Sequence, residues 1–242
     1  MDIWIGTSGF QYPEWKGTFY PETMPTSKML PYYAERFGTT EINYSFRRIP
    51  SEKTIGGWRD ATPAAFKFSL KAPQKITHFA KLRDCEETVT YFDGVIAALG
   101  EKRGAVLFQL PASFQKDATL LDDFLRGTPK SLRPAFEFRH ASWFADDVYE
   151  TLRKHNAALC IAESADLSTP PVATADFGYL RLRREDYTEA DIQKWAEKIQ
   201  SLQQRWTETF IYFKHEESGV GPKFARIMQK ELGQLPSSDG EE

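Results

Sequence analysis

Glu137, Arg139 and His140 fall together in one short stretch, Pro134-Ala135-Phe136-Glu137-Phe138-Arg139-His140-Ala141-Ser142-Trp143-Phe144. A carboxylate and an imidazole are the side chains most used for proton transfer, and a guanidinium fork matches the oxygens of a phosphate or carboxylate. Phe136 and Phe138 alternate with Glu137 and Arg139, the period of a β-strand. Pro129 and Pro134 upstream and the turn-forming run from Ser142 to Asp147 downstream keep that strand short. In a closed parallel barrel, Glu137 and Arg139 would point inward near the C-terminal mouth, where such folds keep their chemistry. On a half-exposed edge strand they would form a solvated ion pair. The stretch alone leaves both readings open.

The choice depends on the elements around it. Ile3 to Ser8 reads as a first strand, followed by an aromatic loop from Phe10 to Tyr20 and a helix from Lys28 to Phe37. Further strands are expected at Thr39–Asn43, Phe66–Lys71, Ala105–Leu110, the opening stretch, Ala157–Ala162, Tyr179–Arg183 and Thr209–Lys214. Helical spacing appears from Ser51 to Trp58, where Ser51 is the N-cap candidate, and from Asp84 to Leu99, with Gly100 as its C-cap candidate. More helices are expected around Leu120–Leu125, Val148–His155, Thr188–Gln204 and Val220–Leu232. Strands alternating with helices or helix-length spacers imply parallel βαβ units, in a closed (β/α) barrel or an open doubly wound sheet. A count of eight strands and a length of 242 residues, near the ~250 typical of closed barrels, favour closure. No composition break divides residues 1–234, which read as one domain; 235–242, with Pro, Ser, Gly and acids, read as a disordered acidic tail.

In a barrel the outward face of each strand must be apolar, because helices cover it. Ile42, Phe66, Phe68, Leu70, Phe136, Phe138, Leu180 and Leu182 satisfy that demand. The opposite parity carries Glu41, Asn43, Lys67, Ser69, Lys71, Gln109, Glu137, Arg139, Tyr179, Arg181 and Arg183. Barrel interiors normally hold branched apolar side chains, so these polar groups must pair with one another or line a wet mouth. At the mouth Glu41, Glu137 and Glu163 face Lys71, Arg139, Arg181, Arg183 and Lys214, a surplus of cations that suits an anionic small molecule. The competing reading is a self-satisfied network with Glu137 bound to an arginine of a neighbouring strand. The expected catalytic groups are Glu137 as acid/base and His140 as a secondary proton carrier. The expected ligand-binding set is Glu41, Asn43, Lys71, Gln109, Arg139, Trp143, Arg181, Arg183, Lys214 and His215.

Other chemistries fare less well. His140 and His215 with the three glutamates could ligate a divalent metal, but their spacing is no compact metal motif and the adjacent cations would repel the ion. Gly6-Thr7-Ser8-Gly9 falls short of a P-loop or dinucleotide fingerprint, so no nucleotide-cofactor signature is present, and neither Cys85 nor Cys160 sits in a nucleophile signature. A net charge of −3 does not suggest general polyanion binding, leaving a local basic patch as the route to nucleic acid. The aromatic loop, with Tyr12, Trp15, Phe19 and Tyr20, could stack a base or a sugar but reads better as a packing cap. Hydrophobic content of 41% and charged content of 27% are those of a globular domain. No apolar run approaches the ~18 residues of a membrane span, and no signal peptide is apparent, so a cytoplasmic protein with reduced thiols is expected. The sequence sets no oligomeric state.

One resemblance adds to this reading. Ile5-Gly6-Thr7-Ser8-Gly9-Phe10, Trp15-Lys16-Gly17-Thr18-Phe19-Tyr20-Pro21, Tyr32-Tyr33-Ala34, Glu41-Ile42-Asn43, Lys71, Ile76-Thr77-His78, Phe108-Gln109-Leu110-Pro111, Phe136 through Trp143 and Tyr212-Phe213-Lys214-His215-Glu216 resemble, in order, the YecE-like family, domain of unknown function 72. The resemblance implies a single-domain TIM-like (β/α) barrel, regular or irregular, without a reaction. A suggested likeness to endonuclease-IV-like and xylose-isomerase-like barrels would imply nucleic-acid or sugar substrates, and so a nucleic-acid-binding protein or a metal-dependent phosphodiesterase as alternatives. Arg183-Arg184 and Lys214-His215 depart from the commoner His-Gly and Asn-Asn of the family and make the mouth more basic.

Overall fold

The computed structural model describes residues 1–163, 168–214 and 219–235. Its strands are β1 (Asp2–Ser8), β2 (Thr39–Ile42), β3 (Lys67–Lys71), β4 (Arg103–Gln109), β5 (Pro134–Glu137), β6 (Ala158–Glu163), β7 (Phe177–Leu182) and β8 (Glu208–Phe213). They pair in sequence order, all parallel, and β8 closes on β1. The helices are α1 (Thr26–Ala34), a short α2 (Tyr44–Arg47), α3 (Glu52–Asp60), α4 (Glu86–Ile96), α5 (Ala118–Gly127), α6 (Asp146–Lys154), α7 (Glu189–Leu202) and α8 (Val220–Glu231). The molecule is a TIM-like α/β barrel, and closure removes both the open-sheet and the exposed-edge alternatives.

Local chemistry accounts for several boundaries. The Ser51 hydroxyl accepts from the Thr54 amide at the start of α3, and Thr188 with Asp191 forms a reciprocal capping box at the start of α7. After α4 the chain continues in a tighter turn, Ala97–Lys102, in which Gly100 takes φ +56°, a region open to glycine at little cost. Short elements near the mouth escape the periodicity argument. Among them are α2 and a π-helical turn, Lys75–Phe79, that follows β3.

Outward side chains build the larger core. Phe108, Phe136, Phe138 and Trp143 form a ladder of rings on the outside of β4 and β5, with successive centroids 5.2, 5.9 and 4.5 Å apart. The aromatic loop belongs to the same layer, with Trp15 and Tyr20 buried and Phe19 packed against Tyr32, Tyr33 and Phe37. Trp15, Phe19 and Tyr20 of this loop are thus packing residues. Tyr33 of α1 wedges its hydroxyl between β1 and β2, accepting from the Thr7 amide at 2.8 Å and donating to the Thr39 carbonyl at 3.0 Å. Gly6 lies at this junction, where a Cβ would come within 2.0 Å of the Thr39 oxygen.

Inside the barrel the contents are layered. At the N-terminal end Glu208 holds the Trp4 indole at 3.0 Å and pairs with Arg133, whose guanidinium lies 4.4 Å from the centre of the Phe177 ring. Above them the Tyr212 hydroxyl bridges Ser69 Oγ and Thr39 Oγ1, both at 2.8 Å. β6 contributes only Ala158, Cys160 and Ala162 to the interior, leaving room for the long side chains of β7. Both cysteines are free thiols, and both are buried. No helix among the described residues is long and apolar enough to cross a membrane. Beyond Leu235, the expected acidic tail lies outside the described residues.

Candidate functional site

The alternation that made Glu137, Arg139, Arg181 and Arg183 inward-facing brings them together at the C-terminal end of the barrel. Arg181, 1% exposed, spans the lumen. Its Nη1 donates to Glu137 Oε2 at 2.5 Å and its Nη2 to Glu41 Oε1 at 2.9 Å. Glu41 also accepts from the Tyr179 hydroxyl at 2.6 Å and from Ser8 Oγ, while Asn43 Nδ2 donates to Ser8 Oγ at 2.8 Å. Glu137 Oε1 receives Arg139 Nε at 2.8 Å and Arg183 Nη1 at 3.4 Å. One buried carboxylate thus organises three guanidinium groups. On the β3–β4 side, Lys71 Nζ donates to Gln109 Oε1 at 2.8 Å and lies 4.0 Å from the centre of the Phe46 ring.

The electrostatics follow from burial and this pairing. Burial alone would raise the Glu137 carboxyl, but Arg181, Arg139 and Arg183 outweigh it and hold the group at about 2. A carboxylate so held has no proton to donate at neutral pH, and both of its oxygens are engaged. In this arrangement Glu137 pairs with Arg139, Arg181 and Arg183 and anchors them. Lys71 moves the other way. Burial, helped by Arg181 and Lys214 and opposed by Glu41 and Glu137, brings it down from 10.5 to about 8. His78, on the π-helical turn after β3, is lowered by burial and by the nearby Lys71 and Arg139 charges, and packs edge-on against Phe46 at 4.9 Å.

Several expected residues lie elsewhere. His140 Nδ1 is 2.8 Å from Ser142 Oγ and accepts from the Ser142 amide, which ties the ring to its own loop rather than to Glu137. Trp143 is fully buried on the outer face, stacked on Phe138, and its indole donates to the Phe114 carbonyl at 2.7 Å, so it packs the core and does not reach the mouth. Glu163, counted among the mouth acids, turns outward to accept from Tyr187 and Trp195 at 2.6 and 2.8 Å. Lys67 shares the inward parity but sits at the opposite end, donating to the Glu101 carbonyl. Lys214 is half-buried just past β8, and His215 lies outside the described residues.

The mouth therefore contains two buried carboxylates, Glu41 and Glu137, facing Arg139, Arg181, Arg183 and Lys71, with the charge of Lys214 felt at Lys71. Among the described residues, Arg183 Nε and Arg181 Nε are buried with no acceptor. Arg139 and Arg183 keep 31% and 19% of their side chains exposed, so the cationic side is the accessible one. No three of the described His, Cys, Asp and Glu residues converge as a metal-binding group. Ser8, Tyr179 and His78 complete the cluster. The parity rule placed Tyr179 inward, whereas only the folded loops reveal His78.

Comparison with known proteins agrees with the architecture. A family model described as "Protein of unknown function DUF72" matches residues 4–241. The UPF0759 protein YecE of Escherichia coli (strain K12) is 31% identical over 59% of this chain, and that match spans 50% of its own length. The UPF0759 protein YunF of Bacillus subtilis (strain 168) is 25% identical over 90% of each chain. A solved DUF72 family protein from Thermotoga maritima MSB8 superimposes with a TM-score of 0.87 at 28% identity, covering 96% of this chain and 100% of that one. A second, from Enterococcus faecalis V583, shares the fold with a TM-score of 0.79 at 20% identity.

Proposed function

This chain belongs to the DUF72 family, and we propose that the mouth of its barrel binds the anionic group of a phosphate- or carboxylate-bearing small molecule as the substrate site of an enzyme. The observation that carries this reading is the imbalance of charge around Glu137. Three guanidinium groups share one carboxylate, two of the three remain partly open to solvent, and the buried Nε of Arg183 has no acceptor. A phosphate or carboxylate oxygen is the acceptor these forks fit best, and a planar guanidinium held by a buried anion loses little freedom when it binds. With Glu163 turned away, the cationic surplus is larger than the sequence count suggested.

Nucleic acid would require a basic surface extending beyond the mouth, and the net charge of −3 supplies no such general attraction. The test is titration calorimetry at low ionic strength with inorganic phosphate, pyrophosphate and citrate. Saturable binding of at least one anion, weakened about tenfold or more in Arg139→Ala, supports the proposal. Absence of saturable binding by the folded wild-type protein overturns it.

A further inference from the structure

Lys71 stands apart from the other cations of the mouth. Its ammonium is half-buried at the C-terminal end of β3, yet no described carboxylate lies within ion-pairing distance; its neighbours are the neutral amide oxygen of Gln109 and the face of Phe46. Glu137 is occupied by the three arginines and Glu41 by Arg181, Tyr179 and Ser8, so neither carboxylate pairs with Lys71 directly and their charges only partly offset its burial. Gln109, the partner of Lys71, pairs in register with Glu137 on the next strand, and the charge of Glu137 is felt at Lys71.

We infer that Lys71 is a nucleophile that forms an iminium with the carbonyl carbon of a small aldehyde or ketone whose carboxylate or phosphate is held by Arg139 and Arg183. This rests on the anion-site reading above and names the substrate class within it. The neutral Nζ lone pair adds to the carbonyl carbon as the C=O π bond breaks toward oxygen. A proton moves from nitrogen to that oxygen, giving a carbinolamine, and the oxygen leaves as water once it takes a second proton, forming C=N. Overall, an ammonium and a carbonyl become an iminium and water, with no oxidant or reductant. Desolvation and neighbouring positive charge are the two devices that leave a lysine neutral and nucleophilic near pH 7, and Lys71 has both, consistent with its fall to about 8.

The test is reductive trapping on the wild-type protein. Pyruvate supplies the carboxylate arm and glycolaldehyde phosphate the phosphate arm, with acetone and glycolaldehyde as uncharged controls. Each is incubated at pH 7 with cyanoborohydride, and the modified lysines are identified by peptide mass mapping. The expected result is one adduct per chain, on Lys71, formed about tenfold or more faster than on exposed Lys53 or Lys194. It should form faster with at least one charged probe than with its uncharged control and be suppressed by excess inorganic phosphate or citrate. Lys71→Met, provided its thermal midpoint is retained, should lose the adduct; if it does not fold, the mapping of wild-type protein decides. Labelling of Lys71 no faster than of the exposed lysines overturns the inference. If anions bind by calorimetry yet no such adduct forms, the anion site stands and the nucleophile assignment falls; if no anion binds, the site reading itself has failed.

Discussion

Arg181 of β7 and Glu137 of β5 meet across the intervening strand, Nη1 to Oε2 at 2.5 Å, with both side chains 1% exposed. The contact is possible because β6 presents only Ala158, Cys160 and Ala162 inward. A buried ion pair of this kind gains little over an apolar replacement of the whole network, but breaking one partner leaves the other charged and desolvated.

Glu137→Gln is therefore expected to destabilise the fold by roughly 3–5 kcal/mol, read from denaturant unfolding. It should also weaken anion binding, because Arg139 and Arg183 lose their anchor. A Glu137→Gln variant of wild-type stability would show that the carboxylate does not hold the cluster together.

The pH dependence has a definite sign. Glu137 lies at about 2 in the fold against 4.5 unperturbed, so the unfolded chain binds the extra proton between those values. Its contribution is complete above pH 4.5 and is lost as pH falls toward 2, on the order of 3 kcal/mol. Unfolding free energies measured across that window should fall with acid in wild type and fall less in Glu137→Gln.

Lys71 should titrate below the ordinary lysine value. Its reactivity toward an amine acylating reagent, followed site by site by mass spectrometry, is expected to rise with a midpoint near 8 rather than near 10.5. Because the folded value is the lower one, the unfolded chain binds more protons between the two, and the lysine's unfavourable contribution to stability is relieved as pH rises through that interval. A midpoint indistinguishable from that of Lys53 would contradict the desolvated setting.

Trp143→Phe separates packing from ligand contact. Loss of the indole leaves the Phe114 carbonyl without its donor and a void beside Phe138, for a cost of roughly 1–3 kcal/mol. Anion affinity should remain at the wild-type level in calorimetry, since Trp143 lies on the outer face.

Gly6→Ala tests the wedge of Tyr33 between β1 and β2. The new methyl would meet the Thr39 carbonyl at 2.0 Å and the Tyr33 hydroxyl at 2.8 Å, neither of which can move without opening the strand pair. A destabilisation of roughly 3 kcal/mol or more is expected from thermal or chemical melts.

The sequence by itself determined the alternation of strands and helices, the inward parity of Glu41, Lys71, Glu137, Arg139, Arg181 and Arg183 and the apolar outer face, because period-two alternation and helical spacing are local properties of the chain. The membership of Glu41, Lys71, Arg139, Arg181 and Arg183 in one mouth follows from that parity together with their place at the C-terminal ends of their strands. Tertiary structure decided which of these groups pair. That Glu137 is paired with Arg181 depends on the arginine reaching it across the small side chains of β6, a distance set by barrel closure and invisible in spacing. Glu163 turned outward and Trp143 joined the outer ladder because Tyr187, Trp195 and the Phe114 carbonyl offered partners there. His78 entered beside Phe46 and Lys71 through a π-helical turn that no periodicity announces. Lys71 was legible as a cation, but its lack of a carboxylate partner became visible only once every acid around it had been claimed.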